Sequence, residues 1–227
     1  MTSPIRVNPI RRNLKFDFDY SRLNDWHYNG RNITHFMNTL SLFFPEGEQF
    51  FIDSVRYYRD KGVIKDEELL QDIRAFIGQE AMHSREHDEL NQEMERQGLG
   101  AAAKDKFVGR LLKVVNKTLP PSLRLSATCA LEHLTANLAD TVLQYPNVFD
   151  EGDNTSETVF ADAWRWHALE ETEHKGVAYD VYQMAVGKDS YPSAYLQRVA
   201  GHVLANAIFW PIVVAVSLDV SRRAGAL

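Results

Sequence analysis

Two short phrases in this chain place a histidine three residues after a glutamate: Glu80-x-x-His83 in GQEAMHSREH, and Glu171-x-x-His174 in WHALEETEH. Residues three apart share a face of a helix, so each phrase can offer a carboxylate and an imidazole to one ion. Two further glutamates stand alone in apolar surroundings. Glu48 lies four residues from both Phe44 and Ile52 and shares their stripe, whereas Glu46 points elsewhere; Glu132 sits among Ala, Leu and Thr in CALEHLTANLAD. A carboxylate on an apolar stripe is costly to bury unless a cation neutralises it. Together these residues form the donor set of a carboxylate-bridged two-metal centre, in which carboxylates bridge hard cations and histidines cap each ion from the side.

The spacing extends the set and leaves some membership open. His167 precedes Glu171 by four residues and shares its face with Glu171 and His174, which Glu170 and Glu173 do not. His87 lies one turn beyond His83, with Glu86 beside it. His83 and His87 could make a two-histidine site, or His87 could stand behind the ligands. His133 is about a third of a turn from Glu132 and points away from its face. Arg56, two turns after Glu48, is a candidate partner for a substrate carboxylate or a ligand glutamate. Cys129, one turn before Glu132, is a candidate for the same cavity or a small core residue. Phe43, Phe44, Phe50, Phe51, Trp164 and Trp166 read as core, some of them as pocket wall. Tyr57, Tyr58, Tyr179 and Tyr182 are further candidates around the ligands.

The elements that must position these residues are helices. Residues 1–30 read as an irregular polar-aromatic arm, laid over the body or over a partner subunit. One helix runs from Thr34 to Asp60, interrupted or restarted at Pro45 and stopped by Lys61-Gly62. A second runs from an Asp66 cap to Gln97, before Gly98 and Gly100. Residues 101–119 form a short helix. Pro120-Pro121 and Ser122 open another, which lasts to Tyr145. After a polar loop, NVFDEGDNTSE, a helix spans Ser156 to Val186, and a last one runs from Pro192 to Arg222. Long helices with short Gly/Pro punctuation predict an antiparallel bundle, so the fold class is all-α: a ferritin-like four-helix bundle with additional helices, one domain over residues 31–227. In the last helix VLANAIFWPIVVAVSL is strongly apolar. At about sixteen residues it is short of the ~20 a bilayer span needs. It reads as a fully buried helix, a dimer-forming surface or an interfacial anchor.

Composition narrows the function classes. The 227 residues are 44% hydrophobic and 25% charged with net charge −6, and no basic excess suggests nucleic acid. A single cysteine leaves no Cys-rich zinc or iron–sulfur spacing, so a metal must be held by nitrogen and oxygen. With no signal peptide evident, a cytoplasmic setting is expected.

FFPEGEQFF, the Glu80/His83 pair, Leu131-Glu132-His133 and WHALEETEHKGVAYDVY resemble the bacterial family catalogued as predicted metal-dependent hydrolases, over roughly residues 30–215. The phrase His167-x-x-x-Glu171-x-x-His174 is also similar to that of the arylamine N-oxygenases, whose two-iron centre carries a third histidine. The resemblance implies Glu48, Glu80, His83, Glu132, His167, Glu171 and His174 as ligands. It implies two metal ions, iron foremost and manganese–iron as the alternative, although zinc suits the same ligand types. Three functions compete. The leading one is an oxygenase that activates dioxygen as co-substrate to oxidise a small organic molecule, an aromatic acid or amine by the resemblance, with electrons from a donor protein or reductant. The second is a hydrolase with a metal-activated water; the third is a non-enzymatic metal-binding bundle. A homodimer and membrane association through the last helix are expected partner modes.

Overall fold

The computed structural model describes residues 9–149, 159–187 and 191–226, and these contain no β-strand. Seven helices follow in order: α1 (Arg31–Ser41), α2 (Phe44–Asp60), α3 (Glu67–Arg96), α4 (Ala101–Thr118), α5 (Pro121–Gln144), α6 (Val159–Tyr182) and α7 (Tyr191–Arg223). The fold is an all-α bundle, as the helical punctuation predicts. The expected long first helix is two, because Pro45 begins a new one: it sits in the first turn of α2, where a missing N–H costs nothing. The Asp66 side chain caps α3, accepting from Leu69 N at 2.9 Å. Gly98 and Gly100, at φ +82° and +68°, end α3 and start α4 in conformations that favour glycine. Pro121 opens α5, and a π-helical turn over Gln183–Gly187 follows α6. The expected Ser156 start and most of the NVFDEGDNTSE loop lie outside the described residues, as do residues 1–8.

Four helices, α2, α3, α5 and α6, surround the polar centre, with α2 on α3 and α5 on α6 as the main pairings. Two apolar clusters close its ends. Along α3 the order is Leu69, Ile73 and Phe76, then Glu80 and His83, then Leu90 and Met94; along α6 it is Phe160 and Trp164, then the ligand phrase, then Val177, Val181 and Tyr182. Each helix therefore carries a buried polar segment between two apolar ones. Residues 9–30 run across α3 and α6. Trp26 anchors this arm, its indole donating to Asn38 Oδ1 at 3.0 Å, and Phe16 N donates to Glu86 Oε2 at 3.1 Å.

The last helix departs from one expectation. It is not a fully buried helix: Leu196, Val203 and Leu204 are 64%, 60% and 61% exposed, and among its described hydrophobic side chains only Ala194, Val213 and Val220 are buried. The apolar stretch also continues the helix through His202 and Asn206, so α7 spans Tyr191–Arg223 and is by length and composition able to cross a membrane. It packs on α5 and α1. Gly201 allows the approach to α5, since a Cβ there would lie 2.3 Å from Ser126 Oγ.

Candidate metal centre

Seven side chains from four helices meet in one buried space: Glu48 of α2, Glu80 and His83 of α3, Glu132 of α5, and His167, Glu171 and His174 of α6. Glu171 Oε1 faces all three histidines, at 3.0 Å from His167 Nε2, 3.4 Å from His174 Nδ1 and 3.9 Å from His83 Nδ1. His83 Nδ1 also lies 3.9 Å from Glu48 Oε1 and 3.8 Å from Glu80 Oε2. His174 Nδ1 is 3.5 Å from Glu80 Oε1 and 3.9 Å from Glu132 Oε2. Most of these separations are too long for good hydrogen bonds. They match donors about 2.1 Å from a shared ion, which sit roughly 3–4 Å from one another. Two subsets have ligand atoms all within 4.8 Å of one another: Glu80, His83, Glu171 and His174, and Glu48, His83 and His167.

Cations fit this space because its polar atoms have nothing else to bind. Both oxygens of Glu80 and of Glu132, Glu48 Oε1, Glu171 Oε2, His83 Nδ1 and both nitrogens of His174 are buried without a hydrogen-bond partner. Burial, reinforced by neighbouring carboxylates, pushes the carboxyls of Glu48 and Glu80 well up, and burial with the Glu171 charge lifts Glu132 to about 8. Burial would raise Glu171 as well, but His174 and His167 outweigh it and hold it well below the usual range. Four carboxylates in one dry space cannot all ionise unaided. Two divalent cations would balance their charge.

The candidate ligands are aimed by partners behind them. His83 turns Nε2 to Glu170 Oε2 at 3.0 Å, which leaves Nδ1 for the centre. Arg12 of the arm braces Glu170 at 3.3 Å and Glu173 at 2.9 Å. A second chain orders His167. Ser41 Oγ donates to Asn91 Oδ1 at 2.8 Å, so it accepts from His87 Nδ1 at 2.9 Å; His87 Nε2 then accepts from His167 Nδ1 at 2.7 Å. That polarity bares His167 Nε2 towards Glu171 and Glu48. Ser84 Oγ donates to Glu48 Oε2 at 2.6 Å.

All seven sequence-predicted ligands are therefore together, and His87 stands behind His167, so a His83/His87 site is not formed. Arg56 is not at the centre: it is solvent-facing and pairs with Asp53 at 3.6 Å, because its position turns it off the stripe that buries Glu48. Cys129 faces outward from the ligand face, its Sγ donating to Ala178 O at 3.3 Å. Tyr58 and Tyr182 are core, Tyr182 being tied to Gln197 Oε1 of α7 at 2.7 Å, and Tyr57 and Tyr179 are at the surface. Trp166 packs edge-on against His83 with ring centroids 4.7 Å apart, and Phe44 lies 4.3 Å from the His167 ring. Glu170 and Ser84 were missed as positioning residues. Their signal in the sequence is weak: each is a polar residue adjoining a ligand or one position from one.

A cavity of about 170 Å³ reaches Glu48, walled by Phe43, Phe44, Phe50 and Phe51 with Leu131, Leu134 and residues of α4 and α7. Apart from Glu48 and the Thr135 hydroxyl, no lining side chain is polar. A family profile described as "Predicted metal-dependent hydrolase" matches residues 10–227. The chain belongs to that family. Within it, the buried glutamate–histidine cluster is this member's candidate metal site. No curated protein and no solved structure matches the chain. The likeness to arylamine N-oxygenases gains no support from these comparisons.

Proposed function

We propose that this chain is a two-metal enzyme acting on a small, largely apolar organic molecule seated against Glu48. The cavity at Glu48 carries this reading. Its 170 Å³ is close to the ~150 Å³ of a dry apolar cavity that accepts benzene, so an aromatic ring is of the right size. Iron, or manganese with iron, held by the four glutamates and three histidines would supply dioxygen activation. The chain's own residues do the rest. The phenylalanine wall holds the substrate and excludes water, Ser84 fixes one oxygen of Glu48, and His87 keeps His167 in the tautomer that presents Nε2. Electrons would come from a separate donor.

Hydrolysis is the second reading, and the family description favours it. A hydrolytic transition state gathers charge on an oxygen and needs donors aimed at it. The cavity wall offers one side-chain hydroxyl, Thr135, so in a hydrolase the stabilisation of that charge would fall to the metals themselves. The two are separated by loading the protein with iron(II) without oxygen and then admitting oxygen in a stopped-flow spectrometer. An optical transient with uptake of oxygen supports oxidation. Inertness to oxygen, with turnover of an ester or phosphoester by the zinc or manganese form, establishes hydrolysis instead.

A further inference from the structure

A second concavity, about 530 Å³, lies on the outer side of α5 and α6 under α7. It is lined by residues that follow the ligands by one position, His133 after Glu132 and Lys175 after His174, so the helix turn points them away from the metals. His202 and Arg198 of α7 complete the lining, whose fixed charges are the cations Lys175 and Arg198; no aspartate or glutamate lines it, in a chain of net charge −6. Arg198 is the unusual member. Its guanidinium stacks 4.7 Å from the Tyr179 ring and 6.0 Å from that of Tyr195, and it has no ion pair or hydrogen bond among the described residues. Its Nε is buried without a partner. A held cation with no anion beside it is half of a recognition pair.

The same concavity runs into an apolar surface. Val199 and Val203 of α7 line it and continue onto the exposed side chains of Leu196 and Leu204. Between Val199 and Leu218 the helix holds no Asp, Glu, Lys or Arg. We propose that this groove binds an anionic amphiphile: a phosphate or carboxylate head between Arg198 and Lys175, with an apolar tail along α7. The site is separate from the cavity at Glu48 and does not depend on which reaction the metals perform.

The test uses the full chain as purified, with its metals, titrated calorimetrically with octyl phosphate below its micelle threshold and, separately, with inorganic phosphate. One octyl phosphate per chain should bind, clearly tighter than inorganic phosphate. Arg198→Gln should weaken it about tenfold, the loss of one good charge-assisted contact. Gly176→Leu provides a variant that keeps every charge: a Cβ at Gly176 meets nothing within 4 Å, so the new side chain projects into the groove and should also abolish binding. Glu48→Gln should leave it intact. Co-sedimentation with phosphatidylglycerol but not phosphatidylcholine vesicles would identify a membrane lipid as the source. Binding of octyl phosphate without sedimentation would identify a free amphiphile. Absence of binding, equal affinity for inorganic phosphate, or binding lost in Glu48→Gln but kept in Arg198→Gln would overturn the proposal.

Discussion

Around Glu48, His83 and His167, the centre is held from behind by the protein: Glu170 takes the rear nitrogen of His83, His87 takes that of His167, and Ser84 takes one oxygen of Glu48. Around Glu80, Glu132 and His174 nothing comparable exists, and both polar atoms of each side chain are buried without a hydrogen bond. The first half is pre-organised by hydrogen bonds that exist without metal. The second is a set of ionisable groups whose burial costs several kcal/mol each unless cations repay it. The apolar cavity opens on the held half, at Glu48. Hydrogen-bonded order thus sits beside the cavity, and the uncompensated burial that cations would relieve sits opposite.

The comparison breaks most visibly on the bare side. Glu132→Ala removes one of the two carboxylates there and should cost at least one metal ion per chain, measured by elemental analysis. Both metals at full occupancy would show that Glu132 is not a ligand. Metal should also stabilise the wild-type fold strongly, by about 2.7 kcal/mol at a free metal concentration 100 times Kd, read as a rise in unfolding midpoint. On the held side the lever is indirect. Glu170→Ala touches no ion, yet it frees the His83 ring and should weaken metal binding roughly 10–100-fold, the usual effect of removing a ligand's partner. Unchanged affinity would mean that His83 is positioned by packing against Trp166 alone.

Legibility in the sequence divides along the same line. The candidate ligands are legible because each is a polar residue at helical spacing inside an apolar stripe, and a stripe fixes which face is buried. Their supports are not. Glu170 meets His83 across 87 residues of sequence, and His87 meets His167 across 80. Such meetings depend on how far α3 and α6 are rotated about their own axes, which no single helix records. Glu170 does lie off the ligand face of α6, as its spacing indicates, but that spacing does not reveal that its own face turns towards α3 and the arm. Arg56 failed the other way, since regular spacing from Glu48 does not compensate for the drift of a straight helix over two turns. The exposed face of α7 was hidden because an apolar run looks alike whether it is buried or not.

Smaller changes sharpen the contrast. Ser84→Ala removes a single hydrogen bond to Glu48 and leaves all seven candidate ligands, so metal content should stay full while catalytic turnover falls by roughly tenfold or somewhat more, the value of one hydrogen bond to a charged group. A matched loss of metal would place the fragility on the held half and reverse the comparison.

The smallest effect lies outside both halves, where Asp219 of α7 receives Lys104 Nζ at 2.8 Å and Arg223 Nε at 2.7 Å. Hydrogen bonds from Lys104 and Arg223 hold the Asp219 carboxyl well below its ordinary range. A depressed folded-state value means stability that is fully present above the unfolded carboxylate value, ~3.9, and lost as pH falls below it. Asp219 is partly exposed, so solvent screening limits the pair to under about 1 kcal/mol. Asp219→Asn should lower the unfolding midpoint slightly at neutral pH, and by progressively less as pH falls below about 4 towards the depressed folded-state value. It should leave both metals bound. Metal loss from this variant would mean that the tie of α7 to α4 through Lys104 is transmitted to the centre, and the two halves would no longer be separable from the rest of the bundle.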